Sequence, residues 1–123
     1  MIEQNIFEKF IILKNLKRDG LKLKDYPELQ NNKKAVLVAV KQNGLALRYA
    51  SEELMGNKEV VLEAVKQNGR ALEFASYELQ KNKEVVIEAV KQYRYALQYA
   101  SDELRYNEKF RDELEKELST NKN

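Results

Sequence analysis

Serine and glutamate side chains recur in this sequence at a spacing that could support chemistry. A serine beside a carboxylate contains the elements of a nucleophile and an acid–base group. The pairs are Ser51 with Glu53, Ser76 with Glu78 and Ser101 with Glu103, each 25 residues after the previous one. An active site is a single arrangement of groups, whereas these pairs are periodic. A serine that caps a helix, followed by an acid in its first turn, explains them structurally, so we predict a protein that is not an enzyme.

The composition excludes several further kinds of chemistry. The chain of 123 residues has no cysteine and no histidine, which removes thiolate catalysis, histidine acid–base catalysis and zinc sites of the usual kind. There is no glycine-rich phosphate loop and no metal-ligand spacing. With 22 basic and 20 acidic side chains the formal charge is only +2, which argues against a dedicated nucleic-acid-binding protein. We therefore expect no cofactor and no metal.

The spacing of 25 residues belongs to a tandem repeat. The repeats 32–56, 57–81 and 82–106 align without a gap, and neighbouring repeats agree at 16 of 25 positions. Such a repeat is typical of a solenoid, in which each unit buries its apolar face against its neighbours. We predict one all-α domain over 1–118, an α-solenoid of 25-residue two-helix repeats with degenerate capping helices at both ends.

The second repeat illustrates how we expect one unit to fold. Asn57 is a good N-cap, and the apolar residues from Val60 to Val65 cover most of a helix, which is then sandwiched between neighbours. Asn68–Gly69 ends this helix, with the glycine free to adopt the left-handed conformation. A second, shorter helix follows over Ala71–Ala75, and Ser76 caps a last short turn.

The two flanks predict caps. In the N-terminal cap, 1–31, a helix over 6–19 is expected to point Ile6, Phe10, Leu13 and Leu16 inward. In the C-terminal cap helix, 107–118, only Phe110, Leu114 and Leu118 form an apolar stripe, and 119–123 is predicted to be a flexible tail. Three apolar residues of the first repeat lie at outward positions, where they pack on the N-terminal helix or form a small second patch. They are Val38, Leu45 and Met55.

Residues that vary between repeats indicate where a partner could bind. They follow one outward stripe of the second helix and the junction between repeats, and they become rich in tyrosine and arginine toward the C-terminus. Drift on a solvent-exposed face would also explain the variation, but tyrosine and arginine are typical anchors of protein interfaces. The predicted partner-binding residues are Arg70, Tyr77, Tyr93, Arg94, Tyr95, Arg105 and Tyr106.

A lysine series offers an alternative site. Lys41, Lys66 and Lys91 occupy the same position in the three repeats, and stacking would place them about 9–10 Å apart, a spacing that could follow a phosphate backbone. Glu63 and Glu88 precede two of them by three residues and would balance their charge. The structural explanation is a solvated ridge of these lysines with Gln42, Gln67 and Gln92, whose amides could make contacts between layers. Nucleic-acid binding along this ridge is the second functional hypothesis.

The repeat resembles a known family. Its consensus sequence is N-K-E-V-V-L-E-A-V-K-Q-N-G-x-A-L-x-F-A-S-x-E-L. This pattern is similar to the tandem helical repeats called domain of unknown function 4116, which are reported mainly in microbes and their viruses. The resemblance covers about residues 32–106 and implies no activity. The third repeat departs from the pattern, because Tyr93–Arg94–Tyr95 replaces Asn–Gly–x.

The sequence thus favours a non-catalytic scaffold that binds a protein or peptide. The alternatives are nucleic-acid binding along the lysine ridge, and a small inhibitor from a phage or mobile element that docks on a host enzyme. We expect a cytoplasmic protein, since the absence of cysteine fits a reducing compartment and the N-terminus is neither a signal peptide nor a membrane span. A monomer is favoured, although an imperfectly capped solenoid end could stack on a second copy.

Overall fold

The computed structural model describes residues 2–120 of the chain, and the side chains of residues 6–120. This part of the chain is all-α and has no strand, and its units repeat in tandem, as the sequence predicted. Residues 121–123, the end of the predicted tail, lie outside the described residues.

Each repeat contains three helical elements. A ten-residue α-helix is followed by a six-residue 3₁₀ helix (η) and then by a four-residue α-helix. The N-terminal cap consists of α1 (Ile2–Arg18), η1 (Gly20–Asp25) and η2 (Pro27–Leu29). The repeats are α2 (Lys33–Gln42), η3 (Gly44–Tyr49) and α3 (Glu52–Met55); α4 (Lys58–Gln67), η4 (Gly69–Phe74) and α5 (Tyr77–Gln80); and α6 (Lys83–Gln92), η5 (Arg94–Tyr99) and α7 (Asp102–Arg105). The last element is α8 (Glu108–Thr120), which runs two residues beyond its predicted end.

The second helix of each repeat is a 3₁₀ helix, where the sequence indicated a short helix without its type. Six residues of 3₁₀ helix span roughly 12 Å, whereas six α-helical residues span roughly 9 Å. The longer rise lets a short segment run along more of the ten-residue helix. Residues three apart share a side of a 3₁₀ helix, so Ala71 lies with Phe74 and Gly69 with Leu72. Ala71 and Leu72 are fully buried.

The predicted helix caps are confirmed. The Asn57 side chain accepts a hydrogen bond from the Val60 N–H, and Asn32, Asn82 and Asn107 make the same contact in their helices. Asn68 caps the 3₁₀ helix by accepting from the Arg70 N–H. Each capped donor would otherwise lack a partner at a helix start, so the asparagines set where the elements begin.

The core is a continuous stack of the long helices. In α4 the side chains of Val60, Val61, Ala64 and Val65 are fully buried, because α2 packs on one side and α6 on the other. The predicted sandwiched helix is therefore confirmed. The aromatic residues at one register of the 3₁₀ helices, Tyr49, Phe74 and Tyr99, are half-buried at the margin of this core.

Glycine serves close packing in this fold, so the predicted left-handed conformation of Gly69 is wrong. No glycine among the described residues has a positive φ. A Cβ on Gly69 would overlap with the carbonyl oxygen of Ala89 in the next long helix, and one on Gly44 would overlap with that of Ala64. Gly44 and Gly69 are required because η3 and η4 touch the backbone of the following long helix.

Polar contacts also link neighbouring units. The Gly20 N–H donates to Gln42 Oε1 at 2.7 Å, and the Gly44 N–H donates in the same way to Gln67 Oε1. At the other edge the Ser76 N–H donates to the Met55 carbonyl at 2.9 Å. Two of the predicted lysine–glutamine ridge positions thus supply amide contacts between layers, and these bonds hold the repeats in register.

Ion pairs join the outer starts of the long helices. Lys33 Nζ lies 2.7 Å from Glu59 Oε1, and Lys58 Nζ lies 2.8 Å from Glu84 Oε1 one layer further on. The hydrogen bond and positive charge of Lys33 lower the pKa of Glu59 below its ordinary value, with a smaller effect from the charge of Lys41. These pairs are solvent-exposed, so they favour the correct register more than they add stability.

We predict that Lys33→Ala raises the pKa of Glu59 toward the ordinary value of a carboxyl group. Because the pKa is lowered in the folded state, the pair stabilises the protein above the unfolded-state pKa, and this contribution is lost as the pH falls through the folded-state pKa. Titration of the side-chain carboxyl ¹³C shifts by NMR measures the change. Glu84 in the same spectrum is the control, since its partner Lys58 is unchanged. An unmoved Glu59 would contradict the ion pair.

The N-terminal helix differs from its prediction. It begins at Ile2 and not at residue 6, and it is 17 residues long. Leu16 is fully buried and Leu13 is half-buried, but Ile6 and Phe10 are 64% and 66% exposed, so the expectation that they point inward is wrong. The first turns of α1 extend past α2, which has only ten residues. None of the described helices is long and apolar enough to cross a membrane.

Candidate functional site

An open groove lies at the C-terminal end of the stack, between η5, α7 and α8. Its volume is about 430 Å³. Its lining residues are Arg94, Tyr95, Leu97, Gln98, Arg105, Tyr106 and Arg111, and we call it the C-terminal groove. Three of the described lining side chains are guanidinium groups and none is a carboxylate, so the lining carries positive charge in a chain that is nearly neutral.

The groove forms because the third repeat and α8 depart from the repeat pattern. Arg94 stands where the second repeat has Gly69, and its Cβ prevents the close approach to the next helix that glycine permits. Arg111 stands where the third repeat has the fully buried Val86. Where the inner repeats change to a 3₁₀ helix, α8 continues as an α-helix to Thr120. Two positions that are buried inside the stack therefore present arginines at its end.

The aromatic side chains of the groove are accessible. Tyr95 and Tyr106 are each 70% exposed. The guanidinium group of Arg105 lies 5.3 Å from the ring centre of Tyr106, and its Nη1 lies 3.4 Å from Asp102 Oδ1. Exposed tyrosine beside arginine offers apolar area together with donors for carbonyl and carboxylate oxygens.

Two predicted residues support the groove from behind. Tyr93 is half-buried against the core, and its ring meets that of Tyr95 edge-on, with centroids 5.8 Å apart. The guanidinium group of Arg70 lies 5.7 Å from the ring centre of Tyr93. Arg70 and Tyr93 thus form a row that ends at Tyr95, and they position its ring without lining the groove themselves.

Tyr77 is separate from this cluster. It begins α5, one repeat earlier, and it is 60% exposed. Its ring is covered on one side by Lys81, whose Nζ lies 5.6 Å from the ring centre. The structure thus brings together Arg94, Tyr95, Arg105 and Tyr106 of the predicted set, with Tyr93 and Arg70 behind them, and leaves Tyr77 outside.

Sequence reasoning missed three lining residues, Leu97, Gln98 and Arg111. Gln98 lies on the outward stripe that varies between repeats, so the repeat alignment could have indicated it as a lining residue. Arg111 could have been found by extending the alignment of repeats into the last helix, where it replaces a core valine. Leu97 belongs to the conserved apolar register and is half-buried here, because the last unit covers it incompletely.

The lysine series is less uniform than the repeat suggested. Lys91 Nζ lies 3.5 Å from Glu117 and 3.7 Å from Glu88, and its side chain is only 20% exposed. Lys41 and Lys66 are exposed. The predicted balance by a preceding glutamate is present at Lys91, while no ion pair is found at Lys66 among the described side chains. The third position of the ridge therefore offers little free charge to a phosphate.

The periodic serines act as helix caps. Ser51, Ser76 and Ser101 each accept a hydrogen bond from a leucine N–H three residues later, and Ser101 is buried. Glu53, Glu78 and Glu103 lie in the first turns of the short helices and are exposed. Within the described part of the chain, no group of three or more acidic side chains is placed to hold a metal ion.

The comparison with protein families accounts for most of this chain. The family described as Domain of unknown function (DUF4116) matches twice in tandem, at residues 9–55 and 57–105. The chain belongs to the DUF4116 family. Each match spans two units, so the family pattern includes the cap unit from residue 9 onward as well as the three repeats. No curated protein and no solved structure matches the chain.

The DUF4116 matches leave both ends of the chain uncovered. The first turns of α1, before residue 9, and the whole of α8 lie outside both matches. Arg111 of the C-terminal groove is therefore contributed by an element beyond the family pattern, whereas Arg94 and Tyr95 lie within it.

Proposed function

We propose that this DUF4116 chain is a non-catalytic scaffold that binds a segment of another protein in the C-terminal groove. The observation that carries the proposal is the convergence of three arginines and two exposed tyrosines from three elements on one open groove. Side chains of these two types supply much of the binding energy at protein interfaces, because they bury a large area and form directed hydrogen bonds.

The side chains of the groove indicate which kind of partner would fit it. Arg94, Arg105 and Arg111 can donate to carboxylates or backbone carbonyls of a bound segment, while Tyr95 and Tyr106 cover its apolar side chains. The row from Arg70 through Tyr93 supports Tyr95 on one side and reduces the entropy that its ring loses on binding. An acidic segment that also carries apolar residues fits these features best.

The test is capture of the partner from extract of the native cells, followed by measurement with the purified partner. We expect the variant Arg94→Ala/Tyr95→Ala/Tyr106→Ala to bind at least about 30-fold more weakly by calorimetry, since interface anchors of this kind each cost about 2 kcal/mol or more on truncation. Tyr77→Ala is the matched control, because this exposed tyrosine lies outside the groove, and its affinity should stay within about twofold of the unmodified protein.

The same experiment separates the alternatives. If the triple variant keeps its helical circular dichroism and binds the partner with full affinity, the groove is not the site. If nuclease treatment of the extract abolishes capture and neutralising Lys41 and Lys66 does the same, the partner is a nucleic acid and binding will fall steeply with salt. If the partner is an enzyme whose activity falls on binding, the chain acts as an inhibitor.

A further inference from the structure

The opposite end of the molecule carries a second unusual surface. Among the described side chains of α1, four large apolar ones are exposed: Ile6 by 64%, Phe7 by 64%, Phe10 by 66% and Ile11 by 42%. Ile6 and Phe7 lie in the turns by which α1 exceeds the length of the inner helices, and Phe10 and Ile11 follow in the next turn. Clustered exposed apolar side chains of this size mark sites of interaction.

A groove runs between α1 and α2 beside these residues. Its volume is about 430 Å³, with Phe10, Leu13 and Val38 as its apolar lining. Its charged lining residues are Lys14, Lys17 and Lys34. Two smaller adjoining recesses along the same helix pair add Lys9 and Lys41. None of the described residues that line the three recesses is a carboxylate, and we call the recesses together the α1–α2 groove.

The repeat pattern shows that this positive charge is a local change. At the two later junctions a lysine at the start of one long helix pairs with a glutamate of the next, Glu59 or Glu84. In the first repeat the position of that glutamate is occupied by Lys34. Lys9 is the first residue of the family match, and it takes the position of the lysine that forms the ion pair at the later junctions. It lines the same recess as Lys34. Two positive charges therefore meet where the other junctions have an ion pair.

A second substitution at the same helix has a related effect. Val38 stands where the later repeats have Glu63 and Glu88. Valine gives the groove an apolar floor, and it also removes the carboxylate that would lie one turn before Lys41. Two changes on one face of α2 thus make the groove both apolar and basic.

We infer that the α1–α2 groove binds an acidic amphipathic helix of another protein. The apolar side chains of that helix would contact Phe10, Leu13 and Val38. Its carboxylates would pair with the lysines that α1 and α2 contribute to the groove. A groove between two helices admits a third helix, and α1 provides about 25 Å of length for it. The lysines make the groove complementary to an acidic partner and speed their encounter.

A second copy of the chain fits this groove less well. The same face of a second molecule would oppose lysines with lysines. The acidic helix α8 of a second molecule has its apolar residues Phe110 and Leu114 buried against its own α6, and its outward residues are polar. A membrane surface is flat and would leave the recessed Leu13 and Val38 uncovered. The inference does not depend on the C-terminal groove, which lies at the other end of the stack.

The probe for this inference is a synthetic, fluorescently labelled peptide of about 18 residues, long enough to follow α1. It carries leucine at helical spacing on one face and glutamate on the other, and a matched peptide has every glutamate replaced by lysine. By fluorescence anisotropy we expect the full chain to bind the acidic peptide at least about tenfold more tightly than the basic one. Equal affinity for both peptides, or no binding of the acidic one, would overturn the inference.

The matched variant is Lys34→Glu/Val38→Glu, which restores the residues that the second and third repeats already carry. It should fold normally and bind the acidic peptide at least about tenfold more weakly. Lys22→Glu/Lys24→Gln changes the net charge by the same amount at exposed positions outside the groove, and should bind almost as well as the unmodified chain. Equal loss in both variants would reduce the effect to overall charge and contradict the site.

Two further measurements distinguish other occupants. Vesicles of phosphatidylcholine with phosphatidylserine should not compete with the peptide, and displacement of the peptide by vesicles would assign the surface to a membrane. Sedimentation equilibrium should show a monomer. A dimer that is lost in Lys34→Glu/Val38→Glu would assign the groove to a second copy instead.

Discussion

Gly69→Ala will lower the free energy of unfolding by about 2–3 kcal/mol. The added methyl group would overlap with the Ala89 carbonyl oxygen and would lie 2.9 Å from the Tyr93 Cβ. The carbonyl belongs to the hydrogen-bonded backbone of α6, so relief of the overlap requires two layers of the stack to separate. Urea unfolding followed by circular dichroism measures the loss, against a total stability of about 5–15 kcal/mol for a domain of this kind.

Gly56→Ala is the matched control for this prediction. Gly56 also has a negative φ, but a Cβ there would meet no atom closer than 3.5 Å. We expect its stability to be unchanged or to rise by about 0.4–1 kcal/mol, because alanine restricts the unfolded chain. Gly69→Asn adds a second comparison, since asparagine tolerates the left-handed conformation. If Gly69→Asn were tolerated and Gly69→Ala were not, a left-handed turn and not close packing would explain the glycine.

Phe110→Ala will destabilise the C-terminal cap by about 3–5 kcal/mol, the usual cost of removing a buried phenylalanine side chain. Phe110 is fully buried and is the largest such side chain in the described core. In a solenoid each unit contacts only its neighbours, so we expect α8 to open before the repeats do. Native-state hydrogen exchange should therefore lose protection first in α8 and next in the third repeat, with the N-terminal repeats affected least.

Phe10→Ala makes the same chemical change at a phenylalanine that is 66% exposed, and its stability should change by less than about 0.5 kcal/mol. Uniform loss of protection along the whole chain in Phe110→Ala would show instead that the stack unfolds as one cooperative unit. Opening of α8 would also remove Arg111 from the C-terminal groove. The variant is therefore also expected to weaken the binding that we propose for that groove.

Most of the architecture could be predicted from periodic residues. The sequence predicted the asparagine and serine caps, the buried valines of the long helices and the apolar stripe of α8. These features are predictable because capping and burial depend on local spacing and on side-chain type. The candidate site could be predicted in part. Arg94, Tyr95, Arg105 and Tyr106 were found because they break the repeat, and a break in a repeat marks a position that the stack does not require.

The remaining features depend on contacts between units. Arg111 lies beyond the last aligned repeat, and only the three-dimensional neighbours of α8 show that it faces η5. Tyr77 shares the exposure and residue type of the site, but its helix starts one layer too early to reach the groove. The exposed side of α1 was predicted wrongly for a similar reason. Ile6 and Phe10 have the spacing of a buried stripe, yet Ile6 lies beyond the length of α2, and Phe10 takes the position that the exposed Lys34 has in α2.

The sequence by itself therefore determined the all-α repeat, its caps, its layers of valine and alanine, and its membership of the DUF4116 family, since each of these follows from residues that recur every 25 positions. Only the tertiary structure decided which positions at the two ends remain uncovered, and why the glycines are needed. The physical reason is that burial in a solenoid is supplied by the neighbouring unit. The same apolar or glycine position is core where a neighbour stacks on it, and it is left uncovered where the neighbour is shorter or stands further away.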